Sequence, residues 1–259
     1  MRNLAFNIAY WLLSIGYGLS AAFAALTPGR TATAWIIRRY VKRMVQAMRV
    51  LAGITIQVRG RERLPTGAFI IASKHSSWGD GFATYDQFDD LAFVTGDHLE
   101  KFPLLGTVLR KLGAIVVNNC GGRQARDALK HRSADAHAEG RNILIYPEGH
   151  LAKVGEKFRY RSGVWHMYRD FDMVVVPLAS NLGLFWPGEE YAKHPGTATL
   201  EFLDPIPTGL PKDGFLARLE AAIEGRTAEL VAEATGRPAT PAVRVLAPDE
   251  VAKAAKSAA

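Results

Sequence analysis

Apolar and polar positions change their spacing near residue 54 of the chain. Residues 34–52 carry apolar side chains at helical spacing, at Ile37, Val41, Met44, Met48 and Leu51. That stripe predicts an amphipathic helix, either on a membrane surface or in the core with a solvated polar face. Residues 54–58 instead alternate with period two, which is typical of a half-buried strand.

The rest of the chain alternates between short apolar runs and helical patterns. The runs predict strands that are covered on both faces, at residues 68–72, 91–94, 114–117, 143–146 and 174–178. Residues 197–203 alternate again and predict a strand nearer an edge. Helical patterns occupy residues 122–139 and 213–235, the second with Asp213 as a candidate N-cap. Interleaved strands and helices predict an α/β fold with a single mixed sheet flanked by helices.

The first part of the chain is apolar and lacks charge. No charged residue occurs from Asn3 to Pro28, a run about as long as a helix that crosses a membrane. Because Asn7 and Ser14 dilute the run, a spanning helix, an embedded hairpin and an interfacial helix all fit it. A cleaved signal peptide is the competing hypothesis, with Ala22-Phe23-Ala24 as a candidate cleavage site.

Charge helps to decide between these hypotheses. The 259 residues include 32 Lys and Arg against 25 Asp and Glu, a formal net charge of +7. Nine basic residues fall between Arg30 and Arg63, where Glu62 is the one acid. Such a cluster suits an anionic partner, either nucleic acid or a phospholipid surface. Next to an apolar segment it favours membrane-associating helices, a phospholipid partner and no nucleic acid. It also places the rest of the chain on the cytoplasmic side of the inner membrane.

Three regions follow from these patterns. Residues 1–53 form an N-terminal membrane-anchoring segment, residues 54–235 an α/β domain, and residues 236–259 an Ala- and Pro-rich tail that we expect to be loosely ordered. One cysteine, Cys120, excludes an internal disulfide. Neither a Cys pair, a His-Glu-x-x-His spacing, a P-loop nor a Gly-x-Ser-x-Gly elbow occurs, so we predict no metal site and no bound cofactor.

The stretch Lys74 to Asp80 carries the most informative chemistry. His75 and Asp80 stand five positions apart, directly after the apolar run of residues 68–72. A strand that ends in this way can present an imidazole at the sheet edge, with a carboxylate close enough to orient it. A neutral histidine held like this can act as general base for an alcohol, without a metal or a covalent intermediate. The spacing alone also fits a hydrogen-bonded histidine with no role in catalysis.

Two further stretches hold candidate binding residues. The run at residues 143–146 leads into Pro147-Glu148-Gly149-His150, and four cations follow it: Lys153, Lys157, Arg159 and Arg161. They suit an anionic head group, a cofactor phosphate or merely a solvated loop. Residues 101–106 precede a helical pattern, and their apolar side chains fit an acyl-chain groove, although periodicity alone favours the core.

Taken in order, these blocks resemble the 1-acylglycerol-3-phosphate O-acyltransferase (lysophosphatidate acyltransferase) family of glycerolipid acyltransferases. The resemblance covers about residues 54–235. It rests on a His-x4-Asp block, a Pro-x-x-Gly block with the strand after it, a Pro-Glu-Gly block and a Val-Pro strand: Lys74 to Asp80, Phe102 to Gly106 with Gly113 to Val117, Tyr146 to Gly149, and Val174 to Leu178.

The resemblance implies a reaction and a set of site residues. A hydroxyl of a monoacylated glycerolipid attacks the thioester of an acyl-CoA or acyl-carrier protein, which is a co-substrate and not a bound cofactor. His75 removes the hydroxyl proton and Asp80 orients the imidazole. Substrate-binding candidates are Glu148, Gly149, His150, Arg159 and Arg161, and acyl-groove candidates are Phe102, Pro103 and Gly106.

The sequence departs from the family where charge is expected for the acceptor phosphate. His150-Leu151 stands where Thr-Arg is usual, Asp97 where Lys is common and Asn119 where Arg is common. These departures leave the head group open. The first hypothesis is acylation of 1-acylglycerol-3-phosphate at the sn-2 hydroxyl to give phosphatidate. Another lyso-lipid acceptor, such as a lyso-aminolipid, is the alternative. A catalytically inert membrane-surface protein is a hypothesis of a different class.

Overall fold

The computed structural model describes residues 1–117, 123–188 and 190–257, without the side chains of residues 103, 123–126 and 253–257. Two helices open the chain: α1 (Arg2–Ala24) and α2 (Thr31–Ala47), the latter continuing as a π-helical turn at Met48–Ala52. Val41, Met44 and Met48 are buried, which confirms the predicted stripe. Residues Asn119, Cys120 and Gly122 lie outside the described part of the chain.

Strands and helices then alternate as the apolar runs predict. The elements are β1 (Ile54–Arg59), β2 (Ile70–Ser73), α3 (Asp80–Tyr85), β3 (Leu91–Gly96), α4 (Pro103–Lys111), β4 (Ile115–Val117), α5 (Arg123–Ala138), β5 (Asn142–Ile145), β6 (Glu156–Lys157), α6 (Gly163–Asp170), β7 (Val175–Ser180), β8 (Gly196–Phe202), α7 (Lys212–Thr235), β9 (Val243–Arg244) and α8 (Pro248–Ser257). Short 3-10 turns occupy Arg61–Arg63, Asp97–Lys101 and Leu182–Leu184. Asp213 lies in the first turn of α7 and Pro211 takes the N-cap position, so the predicted cap was wrong by two residues.

Seven strands form one mixed sheet in the order β1-β8-β7-β2-β5-β3-β4. All neighbours pair in parallel except β7 and β8, which are antiparallel. The central strand β2 pairs on both sides, with Ile71 opposite Leu144 of β5 and Val176 of β7. The prediction of a single mixed sheet flanked by helices is confirmed.

Helices cover both faces of this sheet. One face packs against α1, α2 and α3 in a core that includes Phe6, Met44 and Ile71. The other face packs against α5, α6 and α7 in a core that includes Val164 and Leu219. Both cores contain the central strands, which explains why those strands are apolar without alternation.

The apolar helix α1 lies along the domain for its whole length. Near its start Phe6 is fully buried, with its ring edge-on to Trp186 at 5.1 Å between centroids. In the middle, Ser14 Oγ is 2.8 Å from the Tyr40 hydroxyl, and near the end Ala21 packs in the cluster with Val108 of α4. The helix is long and apolar enough to cross a membrane. Its outward face is apolar and exposed, at Leu4, Ile8, Trp11, Leu12, Ile15, Leu19 and Phe23.

The segment after residue 236 contains more structure than the expected loose tail. Its strand β9 pairs in parallel with β6, and Val245 donates a hydrogen bond to the Lys157 carbonyl at 2.9 Å. The short helix α8 follows, and Glu250 caps its first turn by accepting a hydrogen bond from the Ala247 backbone. The composition of this segment did not predict its structure, because the strand that β9 pairs with lies about ninety residues earlier in the chain.

A buried ion cluster joins the central strands to α7. Lys74 Nζ lies 2.9 and 3.1 Å from the two carboxylate oxygens of Glu224, 3.0 Å from Glu148 Oε1 and 3.0 Å from the Glu156 carbonyl. The Lys74 side chain is 2% exposed and that of Glu148 is 0% exposed. Burial raises the pKa of Glu148 to about 7, because the pull of Lys74 is partly offset by the negative charge of Glu224.

We expect this raised pKa to make stability depend on pH. A carboxyl whose pKa is higher in the folded state stabilises folding fully below its unfolded value of 4.5, and that contribution is lost as pH rises through about 7. The unfolding free energy of the wild type relative to Glu148→Gln should therefore fall by about 1 to 3 kcal/mol between about pH 5 and about pH 8. Urea unfolding measures it, with Glu62→Gln as the control that removes an exposed carboxyl. A constant difference for Glu148→Gln would contradict this account of Glu148.

Candidate active site

The site forms where two neighbouring strands end. Because β2 and β5 are parallel neighbours, the residues after them meet at the same edge of the sheet. His75 follows β2 and Tyr146 follows β5, and their rings stack at 4.0 Å between centroids with an interplanar angle of 21°. The loop that continues from β5 returns to the same place, where the Ala152 amide donates to the His75 carbonyl at 2.8 Å.

His75 and Asp80 are in hydrogen-bond contact. His75 Nδ1 lies 3.1 Å from Asp80 Oδ2, and the same oxygen accepts from the backbone amides of Ser76 and Ser77 at 2.8 Å each. These two donors fix the carboxylate at the first turn of α3. Asp80 is 2% exposed, whereas His75 is 22% exposed.

This geometry assigns the tautomer of His75. A carboxylate accepts hydrogen bonds, so the proton of a neutral imidazole belongs on Nδ1 and the lone pair on Nε2. Burial, together with the charge of Asp80, raises the pKa of the Tyr146 hydroxyl well above its ordinary value. Tyr146 is therefore a neutral stacking partner that restrains the ring and supplies no charge. The arrangement leaves Nε2 as the basic atom.

His75 lines a cavity of about 1290 Å³. The cavity has an extensive apolar wall built from α2, α3, β3 and α4, which includes Tyr40, Phe82, Phe93 and Leu109. Polar side chains line another part of it, among them Arg159, Arg161, Asp249 and Glu250. One cavity therefore combines a general-base candidate, an apolar wall and charged groups, as a site for an amphipathic substrate requires.

The four predicted cations have different surroundings. Arg159 and Arg161 line the cavity. Lys157 instead pairs with Glu220 of α7 at 2.7 Å, and Lys153 is exposed and is not among the residues that line the cavity. Two of the four cations thus line this cavity.

The Pro-Glu-Gly turn positions one of these arginines. Gly149 has a φ of +71°, and a Cβ at this position would lie 2.8 Å from Arg161 Nε, so glycine suits both the backbone and the close approach. His150 Nε2 lies 2.9 Å from Arg161 Nη2. Glu148 is fully buried in the ion cluster and accepts a hydrogen bond from the Phe158 amide. It would therefore act on a substrate only through the residues that it contacts.

The acyl-groove candidates lie beside the cavity. Phe102 is 60% exposed and Gly106 packs against the backbone of Glu100, and neither is among the lining residues. The side chain of Pro103 is outside the described structure. Other residues of α4, such as Leu105 and Leu109, line the cavity instead. Three of the four sequence departures, Asp97, His150 and Leu151, lie in the described structure, and none is among the lining residues. His150 nevertheless contacts Arg161.

Several residues of the site were not predicted. The sequence indicates Tyr146 only as the first residue of the Pro-Glu-Gly block, although an aromatic residue at a strand end is a usable signal. Glu224 and Asp249 come from distant parts of the chain, and nothing local marks them. Among the described residues, no three His, Cys, Asp or Glu side chains cluster as metal ligands do, and a reaction without metal stays a prediction.

Comparisons with known proteins agree on one family. Residues 55–181 match the acyltransferase family. The chain is 30% identical to a 1-acyl-sn-glycerol-3-phosphate acyltransferase of Pseudomonas aeruginosa, over 69% of this chain and 70% of that protein. It is 24% identical to a lyso-ornithine lipid O-acyltransferase of the same organism, over 82% of this chain and 88% of that protein.

A solved structure shares the fold. The crystal structure of the 1-acyl-sn-glycerophosphate (LPA) acyltransferase PlsC from Thermotoga maritima superposes with a TM-score of 0.71 and 19% identity, covering 89% of this chain and 95% of that one. The family match and the 30% identical relative favour an acyltransferase over the hypothesis of an inert protein. The chain belongs to the 1-acyl-sn-glycerol-3-phosphate acyltransferase family of glycerolipid acyltransferases, and it is an acyltransferase.

Proposed function

We propose that the protein transfers an acyl chain from acyl-CoA or acyl-carrier protein to the sn-2 hydroxyl of 1-acylglycerol-3-phosphate, giving phosphatidate. The observation that carries this proposal is the contact between His75 Nδ1 and the buried carboxylate of Asp80 in a cavity that also has an apolar wall. The Pseudomonas aeruginosa relative with 30% identity supports this choice of acceptor.

The proton path follows from the tautomer of His75. Nε2 accepts the proton of the acceptor hydroxyl as its oxygen attacks the thioester carbonyl. Asp80 stabilises the imidazolium that results, because its carboxylate is already held against Nδ1 by two backbone amides. The tetrahedral intermediate then expels the thiolate, and the imidazolium returns the proton to the departing sulfur. No acyl group is attached to the enzyme in this path, which requires that both substrates bind in the cavity together.

The charged part of the cavity is the proposed head-group site. Arg159 and Arg161 offer planar donor groups that suit phosphate oxygens, and His150 adjoins Arg161. A phosphate held there would keep the glycerol backbone in the cavity that contains His75. Gly149 contributes by allowing Arg161 to approach the turn, and Glu148 contributes by holding Lys74.

A second acceptor class has its own support. Asp249 and Glu250 line the cavity with the arginines, and a pair of acids suits the amine of a lyso-aminolipid. The relative that covers the larger share of this chain is named for lyso-ornithine lipid. Activity with a panel of acceptors distinguishes the two classes. A phosphate head group binds both arginines and has no amine for the acids to bind.

The exposed face of α1 supports a membrane location. A helix that contacts the domain along its whole length has only one side left for lipid, which favours insertion in the plane of one leaflet over crossing the bilayer. Arg39, Lys42 and Arg43 of α2 are exposed and suit an anionic phospholipid surface. In contrast, Arg30 pairs with Asp90, so part of the basic cluster serves the fold. We place the domain on the cytoplasmic side of the inner membrane.

We expect His75→Ala and Asp80→Asn to lower kcat by about 100-fold or more, because each removes part of the general base. The assay uses the purified full chain in detergent with acyl-CoA and a panel of lysophosphatidate and lyso-aminolipids. His131→Ala, an exposed histidine on α5, is the matched control and should keep full activity. Equal activity of His75→Ala and wild type would remove the base assignment, and no turnover of lysophosphatidate would remove the proposed acceptor.

We expect Arg159→Ala or Arg161→Ala to raise the KM for lysophosphatidate about tenfold, the loss of one charge-assisted contact to phosphate. The KM for the acyl donor should change little. Lys153→Ala is the control, because this cation lies in the same loop outside the lining residues. If the donor KM rises instead of the acceptor KM, the arginines bind the phosphates of the acyl donor and the head-group assignment is wrong.

We expect the wild type to float with vesicles of equal parts phosphatidylcholine and phosphatidylglycerol even at about 0.5 M salt, where surface charge is largely screened. Introducing charge into the exposed face, as Leu12→Glu with Ile15→Glu, should release the protein because charged side chains are costly in lipid. Ala217→Glu with Ala221→Glu adds the same charge to exposed positions of α7 and should leave flotation unchanged. Release of the wild type by salt alone would contradict insertion of α1.

A further inference from the structure

A carboxylate from the C-terminal segment occupies the proposed head-group site. Asp249, near the start of α8, accepts a hydrogen bond from Arg161 Nη2 at 2.7 Å. The same oxygen, Oδ1, lies 3.1 Å from His150 Nε2. A negatively charged oxygen therefore contacts both Arg161 and His150, whose nitrogens are themselves 2.9 Å apart. It occupies a position on Arg161 that suits the oxygen of a phosphate.

The backbone brings Asp249 to this place. The parallel pair β6–β9 fastens the C-terminal segment to the loop that carries Arg159 and Arg161. Val243 extends this attachment by donating a hydrogen bond to the Gly155 carbonyl at 2.8 Å. Asp249 thus reaches the arginine through an ordered connection, and its side chain is 22% exposed.

Glu250, the acid next to Asp249, makes different contacts. Both carboxylate oxygens of Glu250 are engaged within the C-terminal segment, one by the Ala247 amide at 3.0 Å and the other by Arg244 at 3.2 Å. Asp249 instead turns to groups of the active-site loop. Burial acts to raise the pKa of Asp249, but the hydrogen bond with His150 and the charge of Arg161 hold it below its ordinary value. The side chain therefore carries a full negative charge at neutral pH.

We propose that Asp249 is a placeholder carboxylate that occupies the anion position of the head-group site until a phosphate-bearing acceptor displaces it. This inference rests on the proposed function, since the displacing anion is the acceptor's phosphate. Two anions cannot share one donor position without strong repulsion, so the Asp249 side chain rotates away when phosphate binds. Its attachment through β9 allows this, because only the side chain has to move.

The placeholder sets acceptor selectivity. It neutralises Arg161 while the site is empty, which lowers the affinity for any anion by the cost of breaking its contacts. A phosphate carries two charges and can bind two neighbouring arginines, so its binding outweighs the loss of the Asp249 contacts. The binding of a weaker anion does not. An amine head group would leave Asp249 in position and use its charge, so the two acceptor classes respond to its removal in opposite directions.

The test compares Asp249→Asn with wild type in two measurements. The first is steady-state acylation of lysophosphatidate, where we expect the acceptor KM to fall about threefold to tenfold with kcat and the donor KM retained. The second is the stabilisation of the protein by inorganic phosphate in thermal unfolding, which should appear at about threefold to tenfold lower phosphate concentration. Asp249→Glu keeps the charge and should restore wild-type behaviour. Asp204→Asn is the matched control, because its carboxylate is 90% exposed and is not among the lining residues.

Opposite results would overturn the placeholder. An unchanged or higher acceptor KM in Asp249→Asn, with no gain in phosphate binding, would identify Asp249 as a brace for Arg161 or as a ligand for an amine. The phosphate measurement is independent of the acceptor. If lysophosphatidate is not acylated but Asp249→Asn still binds phosphate more tightly, the proposed acceptor is wrong, whereas the displacement of Asp249 by a phosphate group is upheld.

Discussion

The buried ammonium of Lys74 holds together the parts of the molecule on which the site depends. It follows β2 directly and lies within 3.1 Å of carboxylate oxygens from Glu148, after β5, and Glu224, on α7. The Tyr160 hydroxyl donates to Glu224 at 2.9 Å, so the loop with Arg159 and Arg161 is tied to the same cluster. Since a buried charge without its partner is costly, this cluster favours the arrangement of strand ends, loop and helix in which all its charges are paired.

Parallel pairing of β2 with β5 places the candidate catalytic residues at one edge of the sheet. It brings His75 onto the ring of Tyr146 and leaves the imidazole between a buried carboxylate and the open cavity. The acyltransferase family to which the chain belongs performs a reaction that suits such a base. The polar end of the cavity differs in character, because its charges come from a surface loop and the C-terminal segment. We therefore expect the proposed base to act on many acceptors, and the proposed head-group site to decide which acceptor is used.

Patterns among neighbouring residues in the sequence predicted the features of the structure that neighbouring residues determine. Five apolar runs and two alternating patterns located the seven strands of the sheet, and the spacing of His75 and Asp80 indicated their contact. Each of these features lies within a few residues of the chain. The partners of Lys74 and Arg161 were missed, since Glu224 lies 150 residues from Lys74 and Asp249 lies 88 residues from Arg161. The apolar content of α1 was evident, but which side faces the domain depends on contacts with α2 and α4 that no single segment encodes.

The proposed chemistry requires that His75 activate the acceptor hydroxyl for direct attack on the acyl donor. The most direct measurement combines two-substrate initial velocities with the intact mass of the enzyme after mixing with acyl-CoA alone. We expect intersecting double-reciprocal lines and an unchanged protein mass, as a reaction through a ternary complex requires. Parallel lines together with a protein heavier by one acyl group would show a covalent acyl-enzyme and contradict the role assigned to His75.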